Sequence, residues 1–152
     1  MTSPEERAKT SPEERAAACV AHMLAQDDAS RALGMSVEAT APGCARVSLV
    51  VTRAMANGFG ICHGGIIFSL ADSAFAFACN TYDDLTVAAA ASIEFLKSAN
   101  VGDRLTADAR ERQRGRRSGI YDVSVTNADG EEIAVFRGRS ASLGRPLLPR
   151  ET

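Results

Sequence analysis

Residues 57–79, NGFGICHGGIIFSLADSAFAFAC, constrain this chain more than any other stretch. A glycine-rich loop around a lone histidine, His63, runs into a long apolar segment with one carboxylate, Asp72, set inside it. The length of that segment and its alanine, leucine and phenylalanine content favour a helix ending near Asn80 over a strand. A helix apolar nearly all round must be covered on most sides. A sheet wrapped about it would do that. Carboxylates are seldom fully buried unless paired or functional, and one left in apolar surroundings finds donors or shifts its pKa upward. Asp72 therefore has two readings, a working carboxylate or a structural one that caps a loop or pairs with an arginine.

The flanks supply the sheet. Val47, Leu49 and Val51 alternate with Arg46, Ser48 and Thr52, which is strand spacing. Pro42-Gly43 just before them reads as the turn of a hairpin whose first strand runs near residues 35–41. After the helix, Leu85, Val87, Ala89, Ala91, Ile93 and Phe95 are expected on one face of a long strand. Leu105, Ala107 and Ala109 mark the next, opposed by Arg110, Arg112 and Arg114. Tyr121, Val123 and Val125 mark a third, and Ile133, Val135 and Phe136 begin a last strand after the turn at 127–130. The order is α+β, an antiparallel sheet packed around a central helix.

TSPEERA occurs at residues 2–8 and again at 10–16. Each copy reads as a helix start, with Ser as N-cap, Pro at the first position and Glu at the third. The second leads into a helix with Ala17, Val20, Met23 and Leu24 at helical spacing; His22 there gets no role. The expected division is an N-terminal helical extension over 1–30, one domain over 31–145 and a tail over 146–152.

Composition narrows the function classes. At 152 residues the chain is long enough for a substantial core, and no window approaches the roughly 20 apolar residues of a membrane span. The start lacks the apolar core of a signal peptide, so a cytoplasmic location is expected. Cys19, Cys44, Cys62 and Cys79 show no regular spacing and read as small hydrophobes; with only two histidines, a metal site is not expected. Arginines gather after Asp103. Their planar forks suit phosphate or carboxylate, although a solvated strand face explains any one of them. Nucleic acid fits poorly, since the chain is slightly acidic and sparse in aromatic residues.

The helix start is the second chemical feature. Gly64 and Gly65 stand where unpaired N–H groups and the positive dipole end are presented, and such donors suit an oxyanion developing from a carbonyl. A plain helix-start turn also explains the glycines. Cys62 beside His63 invites a thiol-nucleophile reading, which is weak because chain neighbours usually point apart. Asp72 lies eight residues beyond Gly64, on the order of 12 Å along a helix. That is too far for both to touch one carbonyl within a chain. If they cooperate, the loop of one subunit must meet the helix of another, and an oligomer follows.

The combination Asn57-Gly-x-x-x-x-His63-Gly64-Gly65 with Asp72 nine residues after the histidine resembles the hotdog-fold acyl-CoA thioesterases, in particular their phenylacetate-degradation (PaaI-type) branch. FSLADSAFAFACN, SIEFLKSANVGDRLTA, RRSGIYDVSVTN and AVFRGRS extend the likeness over most of the chain after Val47. The resemblance implies a hotdog fold, a long antiparallel β-sheet wrapped around a central α-helix. It also implies subunits that join their sheets, a homotetramer built as a dimer of dimers, and active sites at a subunit interface. It implies hydrolysis of an acyl-CoA thioester, with phenylacetyl-CoA or a hydroxylated aryl-acetyl-CoA as the expected substrate. Asp72 would serve as general base or nucleophile, the Gly64 N–H would polarise the carbonyl, and Asn57 and His63 would shape the site. Gly65, Ala88, Phe95, Leu96, Gly115 and Arg116 match substrate or coenzyme A positions. Ala88 replaces a serine or threonine that helps the attacking water in some relatives. No cofactor is implied beyond the coenzyme A of the substrate. Two rivals are a hotdog module that binds acyl-CoA without turnover and a hotdog enoyl-CoA hydratase or dehydratase. Phe68, Phe75 and Phe77 suit either an acyl pocket or the helix core.

Overall fold

The structure, a computed structural model, describes residues 3–150. Thr2 of the first repeat and the last two residues of the expected tail lie outside the described residues. Helices α1 (Pro4–Lys9), α2 (Pro12–Gln26) and α3 (Asp28–Ala32) precede the hairpin of β1 (Ser36–Ala41) and β2 (Cys44–Val50). A 3-10 turn (Arg53–Met55) and the glycine-rich loop lead into α4 (Gly64–Cys79). Four strands complete the chain: β3 (Thr86–Phe95), β4 (Arg104–Arg114), β5 (Ser118–Thr126) and β6 (Glu132–Ser142). All pairings are antiparallel, in the order β1-β2-β4-β5-β6-β3. The two edges of the sheet are therefore β1 and β3.

The second repeat starts a helix as its residues require. Ser11 caps α2, its hydroxyl accepting from the Glu14 N–H at 3.1 Å, with Pro12 at the first position. The buried face is Ala16, Cys19 and Val20, with Met23 and Leu24 partly covered. Ala17, expected on that face, is exposed; the stripe is set one residue earlier because Ala16 and Cys19 meet the core. Helix α3 was not anticipated. Asp27 caps it, accepting from the Ser30 N–H and hydroxyl, and the Ser30 hydroxyl meets that of Ser73 at 2.8 Å.

Helix α4 lies across the sheet and packs on β2 through β6. Ile67, Leu70, Ala71, Ala74, Phe75, Phe77 and Ala78 are buried. Burial of each large side chain contributes on the order of 2 kcal/mol. Phe75 and Phe77 belong wholly to this core, and Phe68 packs edge-on against Phe136 at 5.3 Å. Close approach of helix to sheet depends on Gly138, where an added Cβ would stand 2.7 Å from the Phe75 ring. Asn80 ends the helix and ties it to β3: its amide donates to the Thr86 carbonyl at 2.8 Å and its Oδ1 accepts from the Thr86 N–H at 2.9 Å.

The strands alternate as expected in β4 and β5, with Leu105, Ala107, Ala109, Tyr121, Val123 and Val125 inward. β3 departs from the expected pattern. A bulge between Ala88 and Ala90 shifts its register, so Ala88, not Ala89, pairs with the inward Ser140, while Ala91 and Ile93 pair with Gly138 and Phe136. Nor does that face bury β3: residues 87–92 are all exposed, Val87 to 44% and Phe95 to 53%.

Candidate active site

The glycine-rich loop is held by backbone and one amide. Asn57 Oδ1 accepts from the N–H groups of Phe59 (2.9 Å) and Ile61 (3.3 Å), and its own N–H donates to the Ile61 carbonyl at 2.8 Å. Gly60, at φ +78°, closes the turn in a conformation that suits glycine. The Cys62 N–H donates to Ala99 and the His63 N–H to Met55, both at 2.8 Å, which ties the helix start to the loop after β3 and to the 3-10 turn. Asn57 thus shapes the loop through its Oδ1.

His63 is the N-cap of α4. Its Nδ1 accepts from the Gly65 N–H at 2.8 Å, which places the proton of the neutral ring on Nε2. The His63 carbonyl accepts from the Ile66 N–H at 2.9 Å. Of the first three N–H groups of the helix, then, Gly65 and Ile66 are used. The Gly64 N–H has no acceptor among the described residues. It lies in a cleft of about 280 Å³ lined by Asn57, Ile61, Gly64, Phe95 and Leu96, among others. A Cβ at Gly64 would come within 3.1 Å of the Phe95 ring, so glycine keeps this donor open. An unpaired amide at the positive end of a helix, in a cleft with an apolar wall, can stabilise an oxyanion.

Asp72 lies with Gly65, Ser69 and Ala76 on a stripe of α4 that is not fully buried. Its carboxylate has neither a hydrogen bond nor an ion pair among the described residues. Burial raises its carboxyl above the ordinary aspartate value. A half-buried carboxylate without a donor is poised to take a proton. The Cys62 thiol, by contrast, is buried and pushed up, the reverse of an activated nucleophile.

Of the residues singled out from sequence, Asn57, Gly64, Phe95 and Leu96 share the cleft. Gly115 and Arg116 do not. They lie in the β4–β5 turn, in a second recess that Thr86 and Ser140 also line, and Ala88 pairs with that Ser140. Thr86 and Phe95 are the two ends of β3, about 30 Å apart at the rise of a strand. Asp72 is two turns from Gly64, as its spacing requires. A larger groove of about 600 Å³ crosses the outer face of the sheet; it is lined by charges such as Arg110, Arg137 and Asp122 and shares no lining residue with the cleft. Among the described residues, no group of three or more His, Cys, Asp or Glu side chains is placed to hold a metal ion. No helix among them is long and apolar enough to cross a membrane.

Residues 59–134 match the family model of the thioesterase superfamily. The chain belongs to that superfamily. It is 43% identical over 125 residues to the acyl-coenzyme A thioesterase PaaI of Escherichia coli, a match spanning 82% of this chain and 89% of that one. The solved structure of the E. coli PaaI protein from the phenylacetic acid degradation operon superposes with a TM-score of 0.85 at 41% identity, covering 90% of this chain and 99% of that one. A Streptococcus mutans protein solved with acetyl-CoA bound superposes with a TM-score of 0.71 at 29% identity, over 74% and 90% of the two chains. The sheet wrapped on α4 is accordingly a hotdog fold.

Proposed function

We propose that the protein hydrolyses acyl-CoA thioesters, with aryl-acetyl groups such as phenylacetyl preferred, to free acid and coenzyme A. The observation that carries this reading is the pair of unsatisfied groups on one helix: the free Gly64 N–H and the unpaired Asp72 carboxylate. Because they stand about 12 Å apart, each completes its site with the other subunit's group.

β3 offers the way to do so. A long edge strand with small apolar residues exposed on both faces is a template for another strand. Two copies related by a two-fold axis pair antiparallel, which sets the Phe95 end of one β3 near the Thr86 end of the other. The Gly64 cleft of one subunit then faces the Asp72 stripe of its partner and the recess around Gly115 and Arg116. Pairs of such dimers give the proposed tetramer.

In the reaction, the Gly64 N–H holds the thioester oxygen while the Asp72 carboxylate either takes a proton from an attacking water and returns it to the departing sulfur, or attacks the carbonyl itself to form a mixed anhydride that water then hydrolyses to the free acid. The carbon–sulfur bond breaks from the tetrahedral oxyanion, and coenzyme A leaves as the thiol once its sulfur is protonated. Water is the only co-substrate, and coenzyme A enters with the acyl group. The Nδ1 of His63 is committed to the Gly65 N–H, which leaves the dehydratase reading without its usual ring base on that side.

Thiol release from a panel of acyl-CoA esters tests this. The wild-type protein should release thiol, and Asp72→Asn should lose about 100-fold or more in kcat while staying folded. Undiminished turnover by Asp72→Asn would remove Asp72 from the chemistry. Binding of acyl-CoA with no thiol released from any ester would make the protein a binding module.

A further inference from the structure

The arginines of the sheet and its turns differ in their partners, and Arg139 of β6 has no ion pair among the described residues. On the outer face Arg46, Arg104, Arg110, Arg112 and Arg137 are each within ion-pair distance of an aspartate or glutamate; Arg137 grips Asp122 through two nitrogens at 2.7 and 2.9 Å. Arg114, Arg116 and Arg117, around the β4–β5 turn, have no ion pair among the described residues. Their turn is firm: the Gly115 N–H donates to the Ser118 carbonyl, and the Ser142 N–H to the Arg117 carbonyl, both at 2.8 Å. The recess they line also carries the hydroxyls of Thr86, Ser118 and Ser142. Its one carboxylate, Asp84, accepts from the Ser142 hydroxyl at 2.8 Å.

Arg114 is nevertheless held. Its guanidinium carbon lies 3.7 Å from the centroid of the Tyr82 ring. The Tyr82 hydroxyl donates to Glu111 Oε1 at 2.9 Å, and the Tyr121 hydroxyl donates to the same oxygen at 3.1 Å. Glu111 stands at a bulge in β4, and its N–H donates to the Gly43 carbonyl at 2.9 Å. The nearest acid to Arg114 on its own strand is thus occupied by two phenols. A stacked guanidinium uses its face and keeps its in-plane N–H donors free. Those donors match the oxygens of a phosphate.

We propose that Arg114, together with Arg116 and Arg117, binds a phosphate of coenzyme A, and that Tyr82 is a positioning residue that holds Arg114 in place, with Glu111 holding Tyr82. This rests on the acyl-CoA reading above and adds Arg114, Arg117 and the Tyr82–Glu111 pair to it. Either the 3′-phosphate or the diphosphate supplies the anion.

The test compares phenylacetyl-CoA, its dephospho form without the 3′-phosphate, and phenylacetyl-pantetheine, with Arg114→Gln, Tyr82→Leu and Tyr82→Phe. Arg114→Gln and Tyr82→Leu should raise KM for the CoA ester about tenfold, the loss of one charge-assisted contact, with kcat held. Neither should change kinetics on the pantetheine ester. Tyr82→Phe keeps the stacking ring and should restore most of the effect. If the dephospho ester loses the sensitivity, the 3′-phosphate is the ligand; if it keeps it, the diphosphate is. An unchanged KM in Arg114→Gln, an exposed position that does not threaten the fold, overturns the proposal. So does a Tyr82→Leu defect of equal size on the pantetheine ester. Calorimetric binding of coenzyme A to wild type and Arg114→Gln reads the same contact without turnover, so an absence of thiol release by wild type would count against the hydrolase reading and not against this one.

Discussion

The two edges of the sheet differ in how they meet water. β1 is short, carries a bulge between Val37 and Ala39, and has α2 packed beside it. Its Glu38 is tied to the Ser48 hydroxyl and to Arg104. Charge, bulge and a covering helix are the ordinary ways to blunt an edge. β3 has ten residues, with a run of alanines exposed on both faces. Its bulge lies near one end, leaving residues 90–95 in unbroken register with β6. One edge is finished within the chain, and the other is left open, which is the edge the proposed dimer pairs. In the proposed dimer that contrast ties assembly to chemistry, because pairing of the bare edges would bring Gly64 of one helix α4 to Asp72 of the other.

Placing a charge on each edge should have the largest effect. Ala90→Glu on β3 should give a folded monomer and cut thiol release by about 1000-fold, since neither site keeps both its carboxylate and its oxyanion donor. Ala39→Glu on β1 should leave assembly and activity unchanged; light scattering with a thiol assay reads both. Next is Gly64→Pro. Proline is well accepted at the first position of a helix, and His63 at φ −61° and ψ 133° suits the residue before it. The substitution therefore deletes the free N–H with the helix intact, and should lower kcat by about 100-fold with an unchanged circular dichroism spectrum. The smallest effect is on pH. Burial raises the Asp72 carboxyl in the folded chain, so the acid limb of kcat/KM should lie above the ordinary aspartate value of about 3.9. By the same linkage, ionised Asp72 opposes folding. The penalty is absent below the unfolded-state value and grows as pH rises through the folded-state value. Asp72→Asn should accordingly be at least as stable as wild type at neutral pH, with the difference vanishing in acid.

Much of this was legible in the residues. α4 follows from the length and composition of its apolar run, the hairpin and the four later strands follow from alternation and turn residues, and the separation of Gly64 from Asp72 follows from helix rise alone. What escaped depended on contacts between distant positions. The bulge at Ala88 moved a residue of β3 to the other face, which alternation cannot register. The brace from Asn80 to Thr86 joins a helix end to a strand start through an amide that carries no spacing signal. The crowding of arginines after Asp103 looks uniform in sequence, yet acidic partners pair Arg104, Arg110, Arg112 and Arg137 and leave Arg114, Arg116, Arg117 and Arg139 without an ion pair among the described residues. Tyr82 carries no signal in the sequence, because its partner Glu111 is 29 residues away and reaches it at a bulge.

The central claim is that each site draws Asp72 from one chain and Gly64 from another, and subunit complementation tests it most directly. Two inactive proteins, Asp72→Asn and Gly64→Pro, are unfolded together, mixed in equal amounts and refolded. In a mixed dimer one site collects both substitutions and the other collects neither. Random pairing then restores about a quarter of wild-type thiol release. If both groups acted within one chain, every site would carry one substitution and the mixture would stay as inactive as its parts.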